Sequence, residues 1–196
     1  MYTLIMLNAT KRPQRKGLLL STILIFFASY LMSLVLWMQV KDRYSQGVIY
    51  VASHLVTIIK EIEFVEMSEQ GRDVIQVTFK PQRHNVSGLI RIPVRTSLYT
   101  FNAPLTFGIM AALYPFIRRR KRAFCEALAI LFVIHLLTVF SYEAAQVTLV
   151  FAKKGFDAVN KVCIAAYLFL WQFIENMVTK FEPFLIGLYL YFRFNK

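Results

Sequence analysis

Charge-free apolar runs alternate along the chain with short polar segments, and their lengths predict helices that cross a bilayer. From Gly17 to Val40 no residue is charged. As a helix rising 1.5 Å per residue, that run reaches about 36 Å, enough for a hydrocarbon core of about 30 Å. A second run over residues 98–117 contains Asn102, Pro104, Gly108 and Pro115. Pro104 falls in its first turns, where a missing N–H costs little. The third run, 123–152, would be about 45 Å long, so its last turns should project beyond the bilayer. The fourth, 162–192, is interrupted by Glu175, Lys180 and Glu182, and Pro183 should kink it. Its pattern predicts an outer helix over Val162–Thr179 that leads into a membrane helix over Phe173–Phe192.

Residues 41–97 read differently. Val48, Val51, Leu55, Ile58 and Ile59 recur at helical spacing and predict an amphipathic helix that extends the first span or folds back beside it. Beyond it Ile62, Phe64 and Met67 alternate imperfectly with Glu61, Glu63 and Glu66. Gln70-Gly71-Arg72-Asp73 has turn composition. Val74, Val77 and Phe79 mark a second strand, and Leu89–Val94 a third that Pro93 consigns to a sheet edge. Three short strands cannot stand alone, so this α/β segment should lean on the helix and the membrane surface.

Composition and charge orient the picture. The 196 residues are 57% hydrophobic, with a mean hydropathy of +0.50, too apolar for a soluble domain of this size. Lys11, Arg12, Arg15 and Lys16 near the start, the run Arg118, Arg119, Arg120, Lys121 and Arg122, and Arg193 with Lys196 at the end face a single acid, Glu126. The other basic residues lie among the remaining acids. Positive flanks stay on the cytoplasmic side. The expected arrangement is therefore a mainly α bacterial inner-membrane protein with four transmembrane helices and both termini cytoplasmic. Its segments would be a basic N-terminus (1–16), first span (17–40), periplasmic helix and β-segment (41–97), second span (98–117) and cytoplasmic basic loop (118–122). A long third span (123–152), periplasmic loop (153–161), outer helix with fourth span (162–192) and tail (193–196) would follow. The first span is too long for a signal-peptide core and no small-x-small cleavage site follows it, so it reads as uncleaved. With spans on both sides, the basic loop suits anionic lipid headgroups rather than nucleic acid.

Chemistry is sparse. Cys125 and Cys163 would lie at opposite faces, too far apart for a disulfide. Cys125 and His135 are about 15 Å apart along one helix and cannot form a nucleophile–base pair. His54 and His84 lack partners at metal-ligand spacing. No phosphate loop, G-x-S-x-G elbow or zinc signature occurs, so neither catalytic residue nor cofactor is expected. Ionisable groups near spans are costly. His135, Glu143, Glu175, Lys180 and Glu182 fit either a polar cleft between the third and fourth helices or an outer-interface belt. In that belt Lys180 snorkels and the acids are solvated.

The run Ser97-Leu98-Tyr99-Thr100-Phe101-Asn102-Ala103-Pro104-Leu105, the loop Arg118–Arg122 and the closing Glu182-Pro183-Phe184-Leu185-Ile186 with Arg193 carry a family resemblance. Layout and motifs together resemble the small membrane proteins associated with exosortases, above all the exosortase H-associated membrane protein family. The resemblance implies an accessory subunit beside a membrane-embedded transpeptidase that sorts C-terminally tagged exported proteins, and not the transpeptidase itself. Partner binding is expected at Asn102, Pro104, Gly108, Glu143, Lys180 and Glu182, where small or polar groups assist helix association in lipid. Two other readings stay open: a subunit of another envelope-assembly complex, or a membrane enzyme using Glu143, Glu175 or Glu182.

Overall fold

The computed structural model describes residues 12–71, 73–82, 88–117, 119–153 and 160–194. Arg118, His84 and the Asn85-Val86-Ser87 glycosylation-like tripeptide fall outside them. Helix α1 (Arg12–Lys60) leads into strands β1 (Ile62–Glu69), β2 (Val74–Pro81) and β3 (Ile90–Arg95). Helices α2 (Ser97–Thr100), α3 (Ala103–Leu113) and α4 (Arg120–Lys153) follow, with a 3-10 turn at Tyr114–Phe116 after α3. Helix α5 (Lys161–Phe173) then passes through a π-helical turn (Ile174–Thr179) into α6 (Lys180–Phe194).

The protein is mainly helical, and three of its helical segments are long and apolar enough to cross a membrane: 19–60, 120–153 and 161–194. The expected span over 98–117 is not a single helix. It breaks at Phe101-Asn102, before α3, which places Pro104 at its first turn. Proline has no N–H for the preceding turn and its ring crowds that turn's carbonyl, so the helix starts afresh there. Pro115 acts likewise at the far end, where the chain tightens into the 3-10 turn. On its own, α3 covers only about 16 Å.

Helix α1 runs unbroken through both the apolar run and the amphipathic stretch, 49 residues in all. It ends where Glu61 takes a left-handed backbone with φ of 52°, which turns the chain directly into β1. The sheet is antiparallel in the order β1-β2-β3. A bulge lies between Phe64 and Glu66. The extra residue, Val65, shifts the inward phase from Phe64 to Met67 and explains the broken alternation of the sequence. Gly71, at φ of 81°, makes the turn into β2. Pro93 lies in the edge strand β3, with its carbonyl on the free edge accepting from the Tyr142 hydroxyl at 2.9 Å. Its missing N–H therefore costs the ladder nothing.

Two cores divide the molecule. At the sheet end, Val48, Ile49, Ala52 and Val56 of α1 pack with Val77, Phe79, Ile92 and Val94 of the sheet and with Val139 and Val147 of α4. At the basic end, Ala103, Met110, Ala127, Leu131, Ile186 and Leu190 join α3, α4 and α6. In lipid the second core gains little from burial, because acyl chains are as apolar as leucine, so close fit must hold it. Gly187 supplies that fit: a Cβ there would stand 2.7 Å from Ile109 Cγ2. Gly108 does the same for α1, where a Cβ would lie 3.2 Å from Tyr30 Cβ.

Candidate functional site

The groups that carry chemistry converge on a line of buried polar contacts between α1, α3, α4 and α6. His135 sits at its centre because α4 turns Ala123, Ala127, Leu131 and His135 inward at intervals of one helical turn. Its Nδ1 is 2.8 Å from the Tyr44 hydroxyl of α1, and its Nε2 is 3.4 Å from Glu182 Oε1 of α6. His135 and Glu182 are fully buried. The Tyr99 ring stands edge-on to the imidazole at 5.6 Å, and the Trp37 ring lies 5.1 Å from that of Tyr44. With the tyrosine donating to Nδ1, the imidazole Nε2 lies beside the carboxylate without closing a hydrogen bond, so the three side chains form one line of contacts.

One turn along α4, a second knot answers a specific backbone need. Pro183 has no N–H to donate to the carbonyl of Thr179, four residues earlier. That buried carbonyl accepts instead from Asn102 Nδ2, and Asn102 is held just ahead of α3 by the break that Pro104 imposes. The Thr179 hydroxyl donates back to the Ile174 carbonyl at 3.0 Å, five residues earlier, as befits the wider π turn. It also meets the Thr138 hydroxyl at 3.1 Å. Asn102 ahead of α3 and Thr138 of α4 thus both meet Thr179, the first at its proline-freed carbonyl and the second at its hydroxyl.

Further toward the sheet, Ser53 of α1 donates to Glu143 Oε1 of α4 at 3.0 Å, both fully buried. At the basic end Glu126 is clasped by Arg122 at 2.9 Å, by Arg193 at 3.1 Å and by the Tyr189 hydroxyl at 2.9 Å, joining α4 to α6. Outside the membrane helices, Asp73 ties the sheet to its surroundings. Its Oδ1 accepts from the Thr96 hydroxyl at 2.9 Å and lies 3.7 Å from Lys41 Nζ. Partial burial alone would raise the Asp73 pKa. Hydrogen bonds from Ser97 and Thr96 and the nearby Lys41 charge outweigh it, leaving the carboxyl below its ordinary range. A depressed folded-state pKa stabilises above the unfolded value, and that stabilisation disappears as pH falls through the folded one. The β2–β3 end should therefore loosen only in acid, below about pH 4. Amide exchange at Thr96 followed from pH 7 to 3 tests this. Asp73→Asn should flatten the response, and an unchanged profile in that variant would refute the assignment.

Of the residues singled out in the sequence, Asn102, Pro104, Gly108, Glu143 and Glu182 all face this chain's own helices. Ser33 Oγ donates to the Pro104 carbonyl at 3.0 Å. Glu143 and Glu182 are not solvated at an interface, as the belt reading expected, because Ser53 and His135 receive them inside the bundle. Lys180 is exposed and donates to Asn176 Oδ1 at 2.9 Å. Arg119, Arg120, Lys121 and Arg122 are exposed at the basic end, with Arg120 over the Tyr114 ring at 4.2 Å. Both cysteines are free and exposed. Tyr44, Thr138, Thr179, Ser53 and Gly187 escaped the sequence reading. Only Thr179 carried a signal, its position four residues before Pro183. Among the described residues no cluster of His, Cys, Asp and Glu is arranged to hold a metal.

A helical bundle stapled internally by buried polar pairs, carrying three membrane-length helices and a small sheet, defines a membrane protein. The chain belongs to the exosortase H-associated membrane proteins, whose family pattern matches residues 12–194. Comparison with curated proteins and with solved structures gives no match.

Proposed function

We propose that this chain is a non-catalytic partner subunit of an exosortase-type protein-sorting system in a bacterial inner membrane. The family match over residues 12–194 carries the reading. The internal use of the acids supports it: the His135 and Ser53 contacts occupy Glu182 and Glu143 inside the bundle, where neither side chain meets solvent. The basic loop and Arg193 mark the cytoplasmic face. On that reading α3 with its flanking turns completes a fourth, interrupted pass, both termini are cytoplasmic and the sheet is periplasmic. The exposed arginines lie at anionic headgroups.

Crosslinking with mass spectrometry in native membranes tests the proposal. The expected product joins this chain to a multi-span exosortase-type protein. Recovery of secretion or polysaccharide subunits in its place would favour another envelope complex. An enzyme would reveal itself through Glu→Gln changes at positions 143, 175 and 182. Loss of substrate processing at unchanged protein level would overturn the non-catalytic assignment.

A further inference from the structure

Among the described residues, the buried side-chain atoms without a hydrogen-bond partner are not scattered through the fold. They are Trp37 Nε1 and Ser45 Oγ on α1, His135 Nε2 and Glu143 Oε2 on α4, and both carboxylate oxygens of Glu182 on α6. Ser45, His135, Glu143 and Glu182 are fully buried. Helical periodicity brings them together: residues 37, 44 and 45 share one face of α1, and residues 135 and 143 share one face of α4. The Trp37 ring lies 5.1 Å from that of Tyr44, whose hydroxyl meets His135 Nδ1. Tyr99 closes the group, its ring 5.6 Å from the imidazole and its hydroxyl 3.5 Å from the Ser45 carbonyl. Glu143 stands two turns further along α4, with one oxygen on Ser53 and the other unmatched.

The chemistry of these atoms specifies what satisfies them. With Tyr44 donating to Nδ1, His135 Nε2 carries a hydrogen, and Trp37 Nε1 is a donor only. The carboxylate oxygens accept, and the Ser45 hydroxyl does either. A cation would meet two N–H groups and an anion two carboxylates, whereas water both donates and accepts. Nothing much larger reaches atoms with no exposed surface. His135 Nε2 and Glu182 Oε1 are 3.4 Å apart without an aligned hydrogen bond, and one water beside them serves both. Folded proteins hold about one buried water per 27 residues, each making about three hydrogen bonds to groups of this kind. The local backbone suits it. Glu182 lies between the π-helical turn at Ile174–Thr179 and Pro183, the irregularities at which a helix admits water.

We infer that the His135–Glu182 centre is a binding site for ordered water, held between α4 and α6 by His135 Nε2 and the Glu182 carboxylate. Trp37, Ser45 and Glu143 extend the hydrated line along α1 and α4. Part of the contact between α4 and α6 therefore passes through water, which is how two acids lie inside an otherwise apolar bundle. The site belongs to the interior of this chain and does not depend on the partner proposed above.

Radiolytic hydroxyl-radical footprinting of the full-length chain in lipid nanodiscs tests the site. Radicals form from the bound water itself, so a buried side chain beside it is oxidised while a dry one is spared. His135 and Tyr99 are the reporters, and Phe79, as deeply buried in the sheet core, is the dry comparison. After correction for intrinsic reactivity, both reporters should be oxidised about ten times faster than Phe79, because a structural water stays within reach of them. Glu182→Met, which removes the two acceptor oxygens, should lower the His135 yield to about half or less and leave exposed Tyr114 unchanged. Reporter yields no higher than that of Phe79 would show a dry core and overturn the inference. High yields at Phe79 as well would mean general opening of the fold, and would overturn it too. A folded Glu182→Met variant with an unchanged His135 yield would remove Glu182 from the site. Should that variant fail to fold, the comparison with Phe79 in the unaltered chain decides.

Discussion

Asn102→Leu is expected to destabilise the bundle by about 1–3 kcal/mol, the cost of leaving a buried carbonyl without a donor. Interhelical hydrogen bonds in membranes usually contribute less, about 0.6 kcal/mol, because the dissociated helices find other partners. Here the carbonyl of Thr179 has lost its normal donor to Pro183, and Asn102 Nδ2 replaces it. The dependence should therefore be conditional on the proline. In a Pro183→Ala background a backbone N–H returns to the helix ladder, and Asn102→Leu should cost less than half as much. Unfolding in detergent, run as a double-mutant cycle, measures both. Costs that add within about 0.5 kcal/mol would show that the asparagine does not serve this carbonyl.

A larger loss is expected from His135→Leu. It would leave Glu182 fully buried without its partner, a change that typically costs about 3–5 kcal/mol. Marginal stability converts such a loss into a several-fold drop in abundance. Glu182→Met leaves an imidazole that still meets Tyr44 and should cost less. Replacing both, His135→Leu with Glu182→Met, should recover much of the single-variant loss, because exchanging a buried pair for apolar groups of similar size is often near neutral. Steady-state levels in membranes, with thermal unfolding of the purified variants, distinguish these cases. A double-variant loss equal to the sum of the two single losses would mean that the two side chains are not energetically coupled.

Much of the architecture was legible because it follows from local rules. Apolar runs announced the helices, Gly71 the turn and Pro93 the edge strand. The stumble between Phe64 and Met67 was a bulge already written in the residue order. The central region at 98–117 was misjudged as one helix. Hydropathy sums over a window, whereas Pro104 and Pro115 act on single hydrogen bonds. The acids were harder still. A carboxylate among apolar residues looks alike in sequence whether it reaches water or turns inward. What decides is a serine ninety residues away for Glu143, and a histidine on another helix for Glu182.

By itself the sequence determined that this chain lives in a membrane, which end carries the positive charge, and that three strands interrupt its helices. Those properties depend on neighbours along the chain, through hydrogen-bond periodicity and the cost of placing charge in lipid. Tertiary structure alone decided that Asn102 answers Pro183, that His135 receives Glu182 and that Gly187 lets α6 close on α3. Each is a contact between helices set by crossing geometry over a few ångströms, and such contacts leave no periodic trace in the order of residues.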